Sequence, residues 1–499
     1  MIKESLFQLI QSMTMSEKRH FKIYASKHVI GGNNDYVRLF DAIAAQEDYD
    51  DGALLEADFV KNLPAEKYYL QNLIMRSLNV FHDRSSAKTT IYSLLHSIDI
   101  LYHKGLYDQA LRLVKKAKKI AKDNELFVQG LAVSEIEVEL LSKQFEYGLA
   151  SEEIVKSQDL IEDLMNFRTL QKVTTDCYKA RLEIGTSRSD ADSKRLEKFL
   201  QKDGVGEKDY PSTKRAEMYQ NGLNLTYTYF VGDDQKSMDY TTQMTTLYEE
   251  NPHLIEYSTI GYVSSLYNLH NAYLARGQKD LAEETLLKLE ASKDKYGIPT
   301  SDNIGARVYY YSMNIRLNYY LKNDRYEEVE KILQERGRDE KRFGRKIGKP
   351  QLYEYYFLRA KYAFVTGKFK QALKYTNSIL NDLNFKVRAD LLSAVRLLNL
   401  LIHYELRNDF TLEYLAKNTM SYLRKKERLF KVEAELIKFI TNYHKANSLK
   451  EQLADLQQLE SAMSQLKKDK YERIPFDLFD FERWAKAKIQ NRSLLSYSQ

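Results

Sequence analysis

Apolar residues recur every three to four positions along most of this chain, the spacing that lines one face of an α-helix. The clearest run is Ile91 to Lys122. There Ile91, Leu94, Leu95, Ile98, Leu101 and Tyr102 form one stripe, and Tyr107, Ala110, Leu111, Val114, Ala117 and Ala121 form the next. Gly105 between them is a helix stop. A single helical hairpin cannot bury both stripes, so its neighbours in the chain must stack on it. No run alternates Val, Ile or Thr between tight-turn signals, and the fold expected is all-α.

The same reading divides the chain. Residues 1–88 predict a helical N-terminal region. Thr14 and Glu17 are spaced as a capping box for a helix through Phe21 and Tyr24, Gly31 to Asn34 break the chain, and Pro64 suits the first turn of a helix carrying Leu73 and Leu78. Hairpins of the Ile91–Lys122 kind follow over 89–184. Residues 185–214, rich in Gly, Ser and Asp, read as a polar joint with one short helix around Lys194 to Gln201. Hairpins resume over 215–446. Residues 447–499 read as terminal helices. Leu449, Leu453, Leu456, Leu459, Met463 and Leu466 make a packed stripe too short for a sustained coiled coil, and Ile474 to Trp484 is an aromatic segment suited to capping the last hairpin.

The segment from Gly105 to Leu111, with Ala117 seven residues after Ala110, resembles the inter-helix turn and second helix of a tetratricopeptide (TPR) repeat. Gly367 to Leu373, after the aromatic helix Tyr353 to Val365, is similar to the same half-repeat. The Trp and Leu-Gly pair usual in the family's first helix have no counterpart around Ser97 and Ile98. The anchors Ala282, Val329 and Ala372 are also spaced more widely than the roughly 34 residues of the standard repeat. The resemblance therefore implies a TPR-like, right-handed α-solenoid built from longer units. The aromatic ending, paired with Ser16 to Phe21, also resembles TPR-like proteins of Bacteroidota, a likeness that brings no activity with it.

Composition narrows the chemistry. The 499 residues hold 6 prolines, 19 glycines and 43% hydrophobic residues, enough apolar material for a folded helical chain. The single cysteine, Cys177, excludes an internal disulfide framework and reads as a small buried side chain. Lacking a leader-like start or a long apolar run, the chain is expected to be cytoplasmic, with no membrane contact. A net charge of +6 is mild for this size, so only local basic clusters bear on nucleic acid. The densest is Arg336, Arg338, Lys341, Arg342, Arg345, Lys346 and Lys349. Others are Arg112, Lys115, Lys116, Lys119 and Lys122, and Arg424 to Arg428.

Catalytic signatures are missing. Glu17 and His20 make one Glu-x-x-His pair where a di-iron bundle needs two, and Glu250 to His253 contains Pro252. His96 and His103 belong to no zinc motif, and Gly344 to Pro350 departs from a phosphate loop in length and in its last residue. No enzyme, cofactor or metal is expected. The TPR resemblance implies that the first helix of each hairpin lines a concave groove. Carried over, it marks Tyr92, Leu95, Asp99 and Tyr102, then Tyr267 and Asn271, then Tyr311, Asn314 and Asn318 with Lys322 close by, and finally Glu354, Phe357, Lys361 and Phe364, of which the two phenylalanines are expected in the core because Phe is often fully buried. The function expected is a protein-interaction scaffold binding an unidentified protein or peptide in that groove. The alternative is nucleic-acid or ribosome association through the basic patches.

Overall fold

The computed structural model describes residues 4–27, 34–200, 211–296, 303–343, 348–382, 389–443 and 448–498. It is all-α, with 25 α-helices and no strand among the described residues. Two compact units divide at Met165/Asn166.

The first unit begins with α1 (Ser5–Ser12), α2 (Met15–Ser26), α3 (Asp35–Ala45), α4 (Asp51–Leu55) and α5 (Leu63–Phe81). Thr14 and Glu17 cap α2 reciprocally, as their spacing predicts, and Pro64 sits in the first turn of α5. The predicted break at Gly31 to Asn33 lies outside the described residues, and Asn34 caps α3. Leu6, Ile10, Phe21, Phe40, Ile43, Leu70 and Ile74 form the core of this region. Then come α6 (Ala87–His103), α7 (Tyr107–Asp123), α8 (Phe127–Lys143) and α9 (Tyr147–Ile184), whose residues up to Met165 belong to this unit. The predicted stripes of α6 and α7 face each other through Ile91, Leu94, Ile98, Ala110, Val114 and Ala117.

The second unit holds the rest of α9, then α10 (Asp190–Leu200), α11 (Lys214–Val231), α12 (Asp234–Glu250), α13 (Pro252–Tyr257), α14 (Thr259–Ala275), α15 (Lys279–Lys295), α16 (Asn303–Lys322) and α17 (Tyr326–Phe343). It continues with α18 (Lys349–Val365), α19 (Phe369–Leu380), α20 (Ala389–Glu405), α21 (Asp409–Lys425), α22 (Lys431–Tyr443), α23 (Leu449–Leu466), α24 (Ile474–Leu478) and α25 (Phe481–Ile489). From α14 to α22 each helix packs on the next, apart from the α17/α18 junction, and α14, α16, α18, α20 and α22 also pack on one another in turn. They form an inner row, with the alternate helices outside it.

One turn recurs throughout. After α6, α7, α8, α14, α16, α18 and α20, three residues separate consecutive helices, and the middle one has a left-handed backbone. After α6, Gly105 N–H donates to Tyr102 O and Leu106 N–H to Leu101 O, a Schellman pair that satisfies the last free carbonyls of the helix. The same pair recurs at Gly277/Gln278, Gly367/Lys368 and Arg407/Asn408. With helices of 17 residues (α6, α7, α8, α14, α15, α18), a hairpin plus its turns takes about 40 residues against about 34 for the standard repeat, which accounts for the wide spacing of the sequence anchors.

The polar stretch 185–214 differs most from its sequence reading. Its residues 201–210 lie outside the described ones, but 185–200 are pinned into the second unit. The short helix spans Asp190–Leu200. Arg188 is buried and pairs with Glu433 and, at 2.7 Å, with Glu472, while its guanidinium lies 4.1 Å from the Phe430 ring centre. Arg428 pairs with Asp192 at 3.0 Å, and Thr186 donates to Asp390 at 3.0 Å. The division between units falls instead inside α9. At the C-terminus, α23 is a packed helix with Leu456, Leu459 and Met463 buried. Trp484 is buried beside Tyr404 and Phe439, and its indole N–H donates to Glu405 at 2.9 Å. The aromatic ending thus packs against α20 and α22. Cys177 is buried, as expected, and burial pushes its thiol up to about 11.

Candidate functional site

In the second unit the inner faces of α14, α16 and α18 meet. Tyr267 of α14 stacks on Tyr311 of α16, with ring centres 4.5 Å apart and planes 26° from parallel. Its hydroxyl reaches past α16 to donate to Glu354 of α18 at 2.7 Å. Two interaxial steps in a flat row would separate α14 and α18 by roughly 16–20 Å. The two long side chains span that distance and tie α14 to α18 across α16 on this face. Burial first, then the carboxylate of Glu354, drives the Tyr267 hydroxyl well above its usual range, so it stays a donor at any ordinary pH.

The predicted lining residues separate into three groups. Tyr267, Asn271, Asn318 and Lys361 are half-buried and Lys322 is exposed, all on the inner row. Asn271 donates to the Tyr267 carbonyl at 3.0 Å. Lys361 has its ammonium 5.9 Å from the Phe357 ring centre. Burial, then the charge of Lys322, lowers it to about 8 against the opposing pull of Asp477. Tyr311 and Asn314 lie in the core: Tyr311 is buried with its hydroxyl 3.2 Å from Ser264, and Asn314 is fully buried, donating to the Gln351 carbonyl at 3.4 Å. Those two support the wall and do not line it: α14 packs over Tyr311, and α18 over Asn314. Phe357 and Phe364 are buried, as expected.

In the first unit Tyr92, Asp99 and Tyr102 stand on α6. Tyr92 is exposed and its hydroxyl accepts from Gln129 of α8 at 3.0 Å. Tyr102 donates to Glu139 of α8, a bond that with burial pushes its hydroxyl up to about 12. Asp99 is exposed beside His103, 3.4 Å away on the same helix. Tyrosine contacts between alternate helices thus occur in both units, from α6 to α8 and from α16 to α14.

The basic candidates are mostly committed or undescribed. Arg345, Lys346 and the side chains of Arg338, Lys341 and Arg342 lie outside the described residues, whereas Lys349 pairs with Asp382 at 2.5 Å and Arg336 with Glu290 at 3.5 Å. Arg428 is taken by Asp192, leaving Arg424, Lys425 and Lys426 exposed. On α7, Arg112, Lys115, Lys116, Lys119 and Lys122 are exposed.

The histidine of the Glu-x-x-His spacing on α2 makes a hydrogen bond away from its glutamate. Glu17 meets His82 at 2.7 Å in place of His20, because the α2 cap turns its carboxylate toward the end of α5, and His20 bonds Ser77 at 3.0 Å. Pro252 begins α13, so Glu250 and His253 fall on different helices. No group of three or more His, Cys, Asp or Glu able to hold a metal occurs among the described residues, and none of their helices is long and apolar enough to cross a membrane.

Sequence reasoning missed the Arg188, Glu433 and Glu472 cluster. It joins residues too distant in the chain for any local pattern to link. It also missed an apolar strip on the outside of α9, whose signal, Tyr147, Ile154 and Ile161 seven apart, was present. Compared with known proteins, the chain matches no family model and none of the curated proteins.

Proposed function

We propose that the protein is a non-enzymatic interaction scaffold, a right-handed TPR-like solenoid that captures a peptide or helix of a protein partner on the concave face of its inner row. The observation that carries this reading is the link from Tyr267 of α14 to Glu354 of α18 across α16, backed by the buried Tyr311 ring, which gives this face an aromatic wall with fixed polar groups. Around it Asn271, Asn318, Lys322 and Lys361 offer amide and ammonium groups to a peptide's backbone and acidic side chains, the mixture of apolar anchor and fixed polar groups that peptide grooves use. The 17-residue helices and recurrent three-residue turns fit a repeat of that kind, longer than the standard one.

The test is affinity capture with the Asn318→Ala/Lys361→Ala double variant and, separately, Lys115→Ala/Lys119→Ala on α7. Loss of a specific protein partner with the first pair alone, helicity being unchanged, supports the groove. Retention of every partner by the first pair overturns it. Nucleic acid that co-purifies, is lost with the second pair and is released by salt would place function on the basic face instead.

A further inference from the structure

A cleft of about 280 Å³ opens in the second unit between the end of α14, the first turns of α15 and the last turns of α16. Its size is close to the lower end of small-molecule pockets, roughly 300 Å³. None of the proposed groove residues lines it. Leu286 and Ile315, both buried, form an apolar floor, with Tyr319 and Tyr320 beside it. His270 belongs to the same floor and is 3% exposed. Its Nδ1 faces the Ala282 carbonyl at 2.7 Å, so Nε2 is left as an acceptor, and it has no partner among the described residues. Glu283 and Arg316, which line the cleft, both act on the ring through their charges. A buried acceptor without a donor is costly, and here the missing donor can come from what enters the cleft.

The two walls differ in charge. α15 brings Asp280 and Glu283 against one lysine, Lys279, and neither carboxylate has an ion pair among the described residues. α16 and the turn after it bring Arg316 and Arg325. Arg316 is held by Glu290 through Nε and Nη2, and Arg325 by Glu328 through the same two nitrogens. A guanidinium has five N–H groups, so each arginine still has donors for a second anion. A simple anion would meet Asp280 and Glu283, and a simple cation Arg316 and Arg325, whereas a zwitterion answers both walls. Tyrosine and tryptophan are the amino acids that join an apolar ring to a single donor. We propose that this cleft binds one of them as the free amino acid. Its ammonium group lies on Asp280 and Glu283 and its carboxylate on Arg316 and Arg325. Its ring lies over Leu286 and Ile315, with the hydroxyl or indole N–H toward His270.

The test is isothermal titration of the full chain with tyrosine and tryptophan. At least one should bind, and at least tenfold more tightly than its decarboxylated amine, its N-acetyl form or phenylalanine, which lack in turn the carboxylate, the ammonium charge and the ring donor. Asp280→Asn/Glu283→Gln and Arg325→Gln change exposed side chains and should each weaken binding several-fold. His270→Leu should bring the amino acid down to the affinity of phenylalanine while leaving phenylalanine's own unchanged, which a merely structural loss would not do. If that variant loses helicity, the charge variants decide. Asn318→Ala/Lys361→Ala should leave binding as it was. The proposal is overturned if neither amino acid binds, if the three analogues bind as tightly, or if binding is unchanged in both charge variants. Loss of binding in the groove pair alone would place it in the groove and overturn the cleft.

Discussion

Single residues in this protein show how burial decides roles that sequence leaves open. His270 on α14 is buried, and its Nδ1 lies 2.7 Å from the Ala282 carbonyl, so the neutral ring carries its proton there and donates. Its Nε2 is buried with no hydrogen-bond partner among the described residues. A second proton would have to sit on that atom, unpaired, which costs roughly 1–3 kcal/mol. Burial accordingly lowers the His270 pKa, aided by the charge of Arg316 and opposed by the Ala282 bond and Glu283. A histidine whose folded pKa is depressed contributes its full stability above the unfolded value of about 6.5, and loses it as pH falls from there toward the folded pKa. The melting temperature should therefore fall more steeply between pH 7 and 5 in the wild type than in His270→Gln. Parallel profiles would show that the ring titrates normally. Residue types were only partly legible in the sequence: Phe357 and Phe364 were readable as core, whereas Asn314, a polar residue at a groove-like position, is fully buried. Helical phase fixes a residue's angle, but not how closely the next helix presses on it.

At the scale of elements, the left-handed turn residue is what the hairpins share. Sequence reveals it only where it is glycine, at Gly105, Gly277 and Gly367. Glu125, Phe145, Asp324 and Arg407 adopt the same backbone without being glycine, so those turns carried no visible stop signal. A side chain in that conformation costs about 1–2 kcal/mol, partly offset because glycine is freer in the unfolded chain. Arg407→Gly should therefore stabilise the second unit by about 0.5–1 kcal/mol, and Gly367→Ala should destabilise it by about 1 kcal/mol. Urea unfolding followed by circular dichroism measures both. An Arg407→Gly chain less stable than the wild type would mean that the arginine side chain contributes more than its backbone costs. The helices themselves were legible because each must turn an apolar stripe inward. Their length was not, since four of these seven turns lack the residue that announces a turn.

At the scale of the molecule, the cluster around Arg188 ties the start of the second unit to its last helices. Burial raises the Glu433 carboxyl and Arg188 lowers it, with burial prevailing. Glu472 also accepts the Lys431 and Val432 N–H groups at the start of α22, at 3.0 and 3.1 Å. Local pattern could not reveal this, because a run of Ser, Asp and Arg reads as solvated loop until its distant partners are known. Arg188→Met would leave two carboxylates buried without their counter-charge, a loss of about 3–5 kcal/mol. Trp484, the only tryptophan, lies in the second unit, so its emission reports that unit alone, whereas far-ultraviolet dichroism reports both. In urea, Arg188→Met should move the tryptophan transition to markedly lower denaturant while a component of the dichroism change, from the first unit, stays where it was. Adding Glu433→Gln and Glu472→Gln removes the orphaned charges and should restore much of the loss, since a buried ion pair adds little over neutral groups of similar shape. If the triple variant is as weak as Arg188→Met alone, the arginine acts through its packing on Phe430 and not through its charge. A tryptophan midpoint unmoved by Arg188→Met would mean that the cluster does not hold the unit together at all.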